Sequence, residues 1–246
     1  DYGADVVSIR TASRPPTVGG STDSKSPVAW EWIYRNKRSL ALNFREPEAV
    51  SLFWRLASVS DVVIDNFSPR AMPRMGLGYD EMTEANPRLI MVALPAAGRG
   101  GPWSDLVTYG PSLEGLYGMK SLNGYSDTGQ LMESAAELDP TSVGYATLAV
   151  LAALYDRNRT GEGQFIELAQ GEAGFSGIAE AVIEYVWNGR ELGPLGNTHR
   201  VLAPHGWYPC AGEDQWITLA CGSDDEWRRL ATVAGHPEWA ERSEWA

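Results

Sequence analysis

Cysteine is nearly absent from this 246-residue chain, and its two copies, Cys210 and Cys221, are too few for a disulfide framework or a zinc-ligand set. Histidine is as scarce. His199 and His205 lie six residues apart and His236 stands alone, a spacing that fits no zinc pattern, so no metal is expected and the pair reads as loop hydrogen-bonders. Positive charge is in deficit, with 20 Lys and Arg against 32 Asp and Glu and a formal net charge of −12, which argues against a general nucleic-acid binder because phosphate neutralisation needs a basic face. No span approaches the roughly 18 consecutive apolar residues of a membrane helix, and no charged leader precedes an apolar core, so no membrane partner and a cytoplasmic location are expected. There is no Walker loop, no G-x-S-x-G elbow, no HExxH, no glycine fingerprint for a dinucleotide and no internal repeat.

What is present is an ordinary globular composition, 43% hydrophobic and 21% charged, patterned as alternating strand and helix. Val6–Ile9, Val62–Ile64 and Leu89–Leu94 are short aliphatic runs that read as buried strands, and Ser39–Leu42 is a fourth candidate. The last precedes a helical pattern in which Val50, Phe53, Trp54 and Leu56 share a stripe behind an acidic first turn, Glu46-Pro47-Glu48. Alternation of this kind implies right-handed crossovers and an open, mostly parallel, Rossmann-like α/β sheet. From Pro95 to about Gln130 the chain is rich in Gly, Pro and Ser and reads as loop with a short helix around Ser112–Met119.

The segment LMESAAELDPTSVGYATLAVLAALYDRNRTGEGQFIEL, Leu131 to Leu168, reads as a long helix followed by a turn and the strand Gln164–Leu168. Asp139 is expected as the N-cap with Pro140 at the first helical position, Val143, Ala146, Val150, Leu151 and Leu154 as the inward stripe, and Arg157 and Arg159 in the last turn. On residue type and spacing alone Asp139 is better explained by capping than by chemistry. A further helix is expected from about Gly171 to Asn188 with Phe175, Ile178, Ala179, Val182, Ile183 and Val186 apolar, stopped by Gly189, Gly193, Pro194 and Gly196. Beyond that break Gly206–Pro209 and Trp216–Ala220 read as two strands, and Ser223-Asp224-Asp225-Glu226 as a capping box opening a helix with Trp227, Leu230 and Val233 inward. The division expected is a large domain over 1–195 and the start of a smaller α+β domain over 196–246.

Five landmarks in order, DYGADVVSIR, NKRSLALNFREPE, DVVIDNFSPRAMPRMGLGYDEM, NPRLIMVALPAAGRGGPWSD and GNTHRVLAPHGWYPC, together with the Asp139 segment, resemble the class III CoA-transferase family, also called CaiB/BaiF. The resemblance implies that the chain lacks an N-terminal strand and helix and continues past Ala246 in a complete member, and that members form interlocked homodimers. It implies an enzyme that moves coenzyme A from an acyl-CoA donor to a carboxylic acid, with CoA as substrate and no permanently bound cofactor. Asp139 would be the covalent catalyst, a role that suits a carboxylate because its anhydride reacts readily with thiolate. Asn66, Phe67, Arg74 and Met75, with Leu42, Arg45 and more loosely Arg10, match positions that hold the nucleotide end of CoA. Gly193 and Gly196 match a glycine-rich loop, here interrupted by Pro194 and Leu195.

Tyr109 matches an active-site neighbour, followed by Gly110 where an acidic residue is commoner. The related α-methylacyl-CoA racemases carry a histidine at the Tyr109 position and shuttle an α-proton between it and the aspartate. Two alternatives stay open beside transfer: such a racemase or isomerase, and a non-catalytic piece that only binds CoA or dimerises. The identity of the acid and of the acyl donor is not legible.

Overall fold

The structure, a computed structural model, describes residues 3–10, 34–125, 127–129 and 137–242. Parallel pairing organises the first half. Strand β1 (Val6–Arg10) pairs in parallel with β2 (Lys37–Ala41), Val6 opposite Lys37 and Arg10 opposite Ala41. A second sheet has the order β3-β4-β5, with β3 (Val62–Asp65), β4 (Ile90–Ala93) and β5 (Phe165–Glu167) all parallel. The mixed α/β architecture with mostly parallel sheets agrees with the sequence expectation; among the described residues the first four expected strands form two sheets rather than one.

Helix α1 (Pro47–Ala57) begins with Pro47, whose missing N–H falls among first-turn donors that have no helical acceptor, and it buries Ala49, Phe53 and Ala57. Two short helices follow, α2 (Ala71–Arg74) and α3 (Tyr79–Ala85). One apolar cluster unites Leu42, Phe53, Met72, Leu77, Met82, Leu89 and Met91, with Ile9, Trp54, Val63, Met75 and Phe165 packed against it. β4 is buried at all four positions, which is why its sequence is continuously aliphatic rather than alternating.

The chain divides into two compact units, Asp1–Pro95 with Thr147–Glu167, and Ala96–Ala146 with Leu168–Ala246. The second contains α4 (Gly110–Leu116), a 3₁₀ turn at Met119–Leu122, and α6 (Gln170–Gly174) running through a 3₁₀ turn at Phe175–Ile178 into α7 (Ala179–Asn188). The single helix expected over 171–188 is thus broken. Its first half carries Gly171, Gly174 and Gly177, and a Cβ at Gly171 would overlap the Tyr117 ring, so that stretch is shaped by close packing. The unit ends with an antiparallel pair, β6 (His205–Pro209) and β7 (Trp216–Ala220), and with α8 (Asp224–Val233), whose cap Ser223 Oγ accepts the Glu226 N–H at 3.4 Å.

In α8, Trp227 and Leu230 are partly buried and Ala231 fully so, but Val233 is exposed. Six residues beyond Trp227, Val233 has turned well away from that face, because 3.6 residues complete a turn. Helix α5 (Leu138–Thr160) contributes residues to both units and departs further from expectation. Its buried positions are Leu138, Ser142, Ala146, Ala153 and Arg157, while Val143 and Leu151, expected inward, are exposed. Small side chains on the buried face permit close approach, and because apolar residues surround this helix the sequence pattern does not select the right face. No described helix is long and apolar enough to cross a membrane.

Candidate active site

Asp139 is the second residue of α5, two positions further into the helix than the N-cap, which is Glu137. The Thr141 N–H donates to Glu137 O at 3.1 Å, so the helix is entered at Glu137 and Leu138, and Pro140 occupies the third position. Proline is tolerated there because first-turn N–H groups have no acceptor within the helix. Leu138 is fully buried, and its N–H donates to Glu114 Oε1 of α4 at 3.2 Å. On the other side of the turn, Ser142 Oγ donates to Leu138 O at 2.9 Å within the interior.

The Asp139 carboxylate lies against Gly110, the first residue of α4. A Cβ built on Gly110 would sit 3.0 Å from Asp139 Oδ2 and 3.2 Å from Oδ1, so a side chain there would require the carboxylate to give by a few tenths of an ångström. Asp139 remains open to solvent, but partial burial first, and the charge of Glu114 second, push its carboxyl above the ordinary aspartate value. The helix N-terminus alone would favour the ionised form. Enclosure and the like charge outweigh it. Sequence reasoning misses Glu114, whose complete burial is the one signal that distinguishes it from a surface glutamate.

Around this turn the second unit packs aromatic rings edge to face. Trp103 meets Tyr117 at 5.9 Å and Tyr117 meets Phe175 at 5.5 Å between centroids. Burial, then Glu172, raise the Tyr117 hydroxyl. Tyr109 precedes α4 as its cap residue and is exposed. Gly196 has φ +56, a left-handed conformation, and a Cβ there would be 2.7 Å from Tyr125 Cδ1, so glycine is required on two counts; Gly193 faces open space. Asn197 follows and clamps β6, its Nδ2 donating to Trp207 O at 2.7 Å and its Oδ1 accepting the Trp207 N–H at 3.0 Å. His199 Nδ1 accepts the Val201 and Leu202 N–H groups at 3.1 and 3.0 Å, a loop-tying role.

The residues expected to hold a nucleotide all belong to the first unit and lie at or beyond carboxyl ends of its parallel strands, where ligands bind in open α/β sheets. Arg10 ends β1, with its guanidinium 3.6 Å above the Tyr34 ring centroid, and its carbonyl accepts the Leu42 N–H at 2.8 Å. Asn66 and Phe67 follow β3 and are exposed, the Phe67 N–H donating to Asp65 Oδ1 at 3.1 Å. Arg45 and Arg74 are exposed cations. Leu42 is buried in the core cluster and Met75 packs against it, so these two shape the surface from below, while Phe67 offers an open ring face.

CoA-transferase family III matches residues 1–246. The chain is 30% identical over 244 residues to a succinyl-CoA–D-citramalate CoA-transferase of Chloroflexus aurantiacus, covering 98% of this chain and 60% of the relative. It is 32% identical over 245 residues to a succinate–glutarate CoA-transferase of Agrobacterium fabrum, covering 96% and 60%. The crystal structure of a CaiB/BaiF family protein from Brucella suis superposes with a TM-score of 0.84 at 28% identity, over 100% of this chain and 66% of that one. The chain therefore spans about two thirds or less of the relatives it matches, and over that span sequence and fold agree with one conclusion: it belongs to CoA-transferase family III.

Proposed function

We propose that the protein transfers coenzyme A from an acyl-CoA donor to a carboxylic acid through covalent intermediates on Asp139. The observation that carries this reading is the Asp139 carboxylate, solvent-accessible in the first turn of α5 and given room by Gly110. In the first step a carboxylate oxygen attacks the thioester carbonyl, a C–O bond forms, the C–S bond breaks, and CoA leaves as thiolate from a mixed anhydride. The thiolate then attacks the aspartyl carbonyl and expels the donor acid, leaving an aspartyl-CoA thioester. The acceptor acid repeats the sequence in reverse, so Asp139 returns unchanged and no external oxidant or base is consumed.

Arg45 and Arg74 are suited to pair with phosphates, and Phe67 to stack on a purine, with Arg10, Asn66, Leu42 and Met75 completing that surface. Gly193 and Gly196 would flank the acyl end, with Tyr109 nearby in sequence to Gly110. The relatives' names point to small dicarboxylic acids as the class to try first, with succinyl-CoA as donor. Homodimerisation is part of the proposal, supported by exposed apolar side chains on α5 (Val143, Leu148, Leu151) and α7 (Val186, Trp187). A large domain ending at residue 195 and a cytoplasmic location belong to the same reading.

Incubation with succinyl-CoA and a set of dicarboxylates, quenched with hydroxylamine and read by peptide mass spectrometry, tests the mechanism. A hydroxamate on Asp139, with turnover falling at least about a thousand-fold in Asp139→Ala, is the expected result. Deuterium exchange at the acyl α-carbon without any label would move the assignment to a racemase. CoA binding with neither signal would make the chain a non-catalytic piece.

A further inference from the structure

We propose that Glu114 is a positioning residue for Asp139: from one face of α4 it anchors the first turn of α5 and sets a second carboxylate beside the reacting one. This rests on the CoA-transfer reading above. Gly110 and Glu114 are four residues apart in α4 and so share a helix face. Gly110 provides the space the Asp139 carboxylate occupies, and Glu114, fully buried, accepts the N–H of the preceding residue, Leu138, at 3.2 Å. That N–H would otherwise be a buried first-turn donor without an acceptor in its own helix. One face of α4 therefore fixes both the backbone before Asp139 and the direction of its side chain.

The second effect is electrostatic. Titratable groups on the surrounding elements are Tyr109 and Glu114 with α4, Tyr117 after it, Lys120 in the 3₁₀ turn, Glu137 ahead of α5 and Glu172 in α6. Burial contributes most to raising the Asp139 carboxyl and the Glu114 charge adds to it, whereas on Tyr117 burial is followed by Glu172. A carboxylate held beside a like charge binds a proton more tightly and is the stronger nucleophile once ionised. Acylation relieves the repulsion, because the anhydride and the thioester of Asp139 are neutral and the negative charge departs with the thiolate or the acid. Glu114 thereby favours the covalent intermediates over the free carboxylate.

The test is the pH dependence of Asp139 hydroxamate formation in the wild-type protein and in Glu114→Gln, which keeps an acceptor for the Leu138 N–H and removes the charge. The acid limb is expected to move to lower pH in the variant and the plateau yield to fall; coincident profiles would overturn the proposal. Amide exchange at Leu138 is expected to accelerate in Glu114→Ala and stay slow in Glu114→Gln. Should the glutamine variant not fold, the carboxyl carbon of Asp139 in the wild type, assigned by its loss in Asp139→Asn, can be titrated by NMR. A midpoint at or below that of an ordinary aspartate overturns the proposal. Absence of any wild-type hydroxamate would instead defeat the CoA-transfer reading, and a fall of the Asp139 NMR midpoint from wild type to Glu114→Gln, or its absence, would still decide the role of Glu114.

Discussion

The first and last turns of α5 each meet a buried charge, and the two ends handle it differently. At the carboxyl end Arg157, almost fully buried, pairs with Asp61 Oδ1 at 2.9 Å and donates to the carbonyls of Asp61 and Arg88 at 3.5 and 3.4 Å. A cation there also opposes the negative end of the helix. At the amino end Glu114 is buried beside Asp139, so a negative charge favoured by the helix end is set next to a second one. The neutralised end joins α5 to β3 and to the chain ahead of β4, and it serves stability. The end where Glu114 and Asp139 meet holds the Asp139 proton more tightly than usual, through burial first and the like charge second, and a perturbed carboxylate of this kind is a candidate for the proposed chemistry.

Replacing Arg157 with methionine should do the most damage, about 3 kcal/mol in urea unfolding, because two carbonyls lose their donor although the remaining Asp61 is open to water. A loss below about 1 kcal/mol would mean that the two ends do not differ as described. Glu114→Ala comes next, at about 2 kcal/mol, since the Leu138 N–H is left buried without its acceptor. If instead Glu114→Ala were neutral, water would be satisfying that N–H and the amino end would be less enclosed than a buried Glu114 implies.

Only part of this contrast can be read in the sequence. Strands β1, β3 and β4 announce themselves by short β-branched and aliphatic runs, β2 (KRSLA) shows only its Leu40-Ala41 end and β5 (FIE) only its alternation, and the helix stop at Gly189, with φ +65, follows from glycine chemistry. Asp139 is legible through the ordered landmarks around it; as a lone acid before a proline it is better explained as a cap. Glu114 is not legible, because a glutamate in a Gly- and Pro-rich stretch reads as solvated surface, and only a tertiary contact with Leu138 gives it a role. Arg157 falls in the last turn as its position in the helical pattern requires, yet its partners lie 69 and 96 residues away in the chain. The inward face of α5 escapes the pattern because Ser142, Ala146 and Ala153 bury small surfaces while larger apolar residues stay outside.

Asp61→Asn probes the carboxyl end more gently. The substituted amide would keep an oxygen acceptor and Asp61 is mostly exposed, so a loss of about 1 kcal/mol is expected at low salt, and it should shrink at high salt, where the wild-type pair is screened. The smallest effect, and the one of opposite sign, belongs to Asp139→Asn. Because the folded protein holds the Asp139 proton more tightly than the unfolded chain, wild-type stability declines as pH rises from the unfolded value, about 3.9, through the higher folded one. The asparagine variant has no such titration. Its melting temperature should exceed that of the wild type near neutral pH, and the gain should vanish as the pH falls below the unfolded value. In a Glu114→Gln background the same gain should shrink, because one of the two causes has been removed, and the difference between the two gains measures the coupling of the carboxylates directly. A gain that is independent of pH would show that neither enclosure nor Glu114 acts on this carboxyl, and the contrast between the ends of α5 would then be one of packing alone.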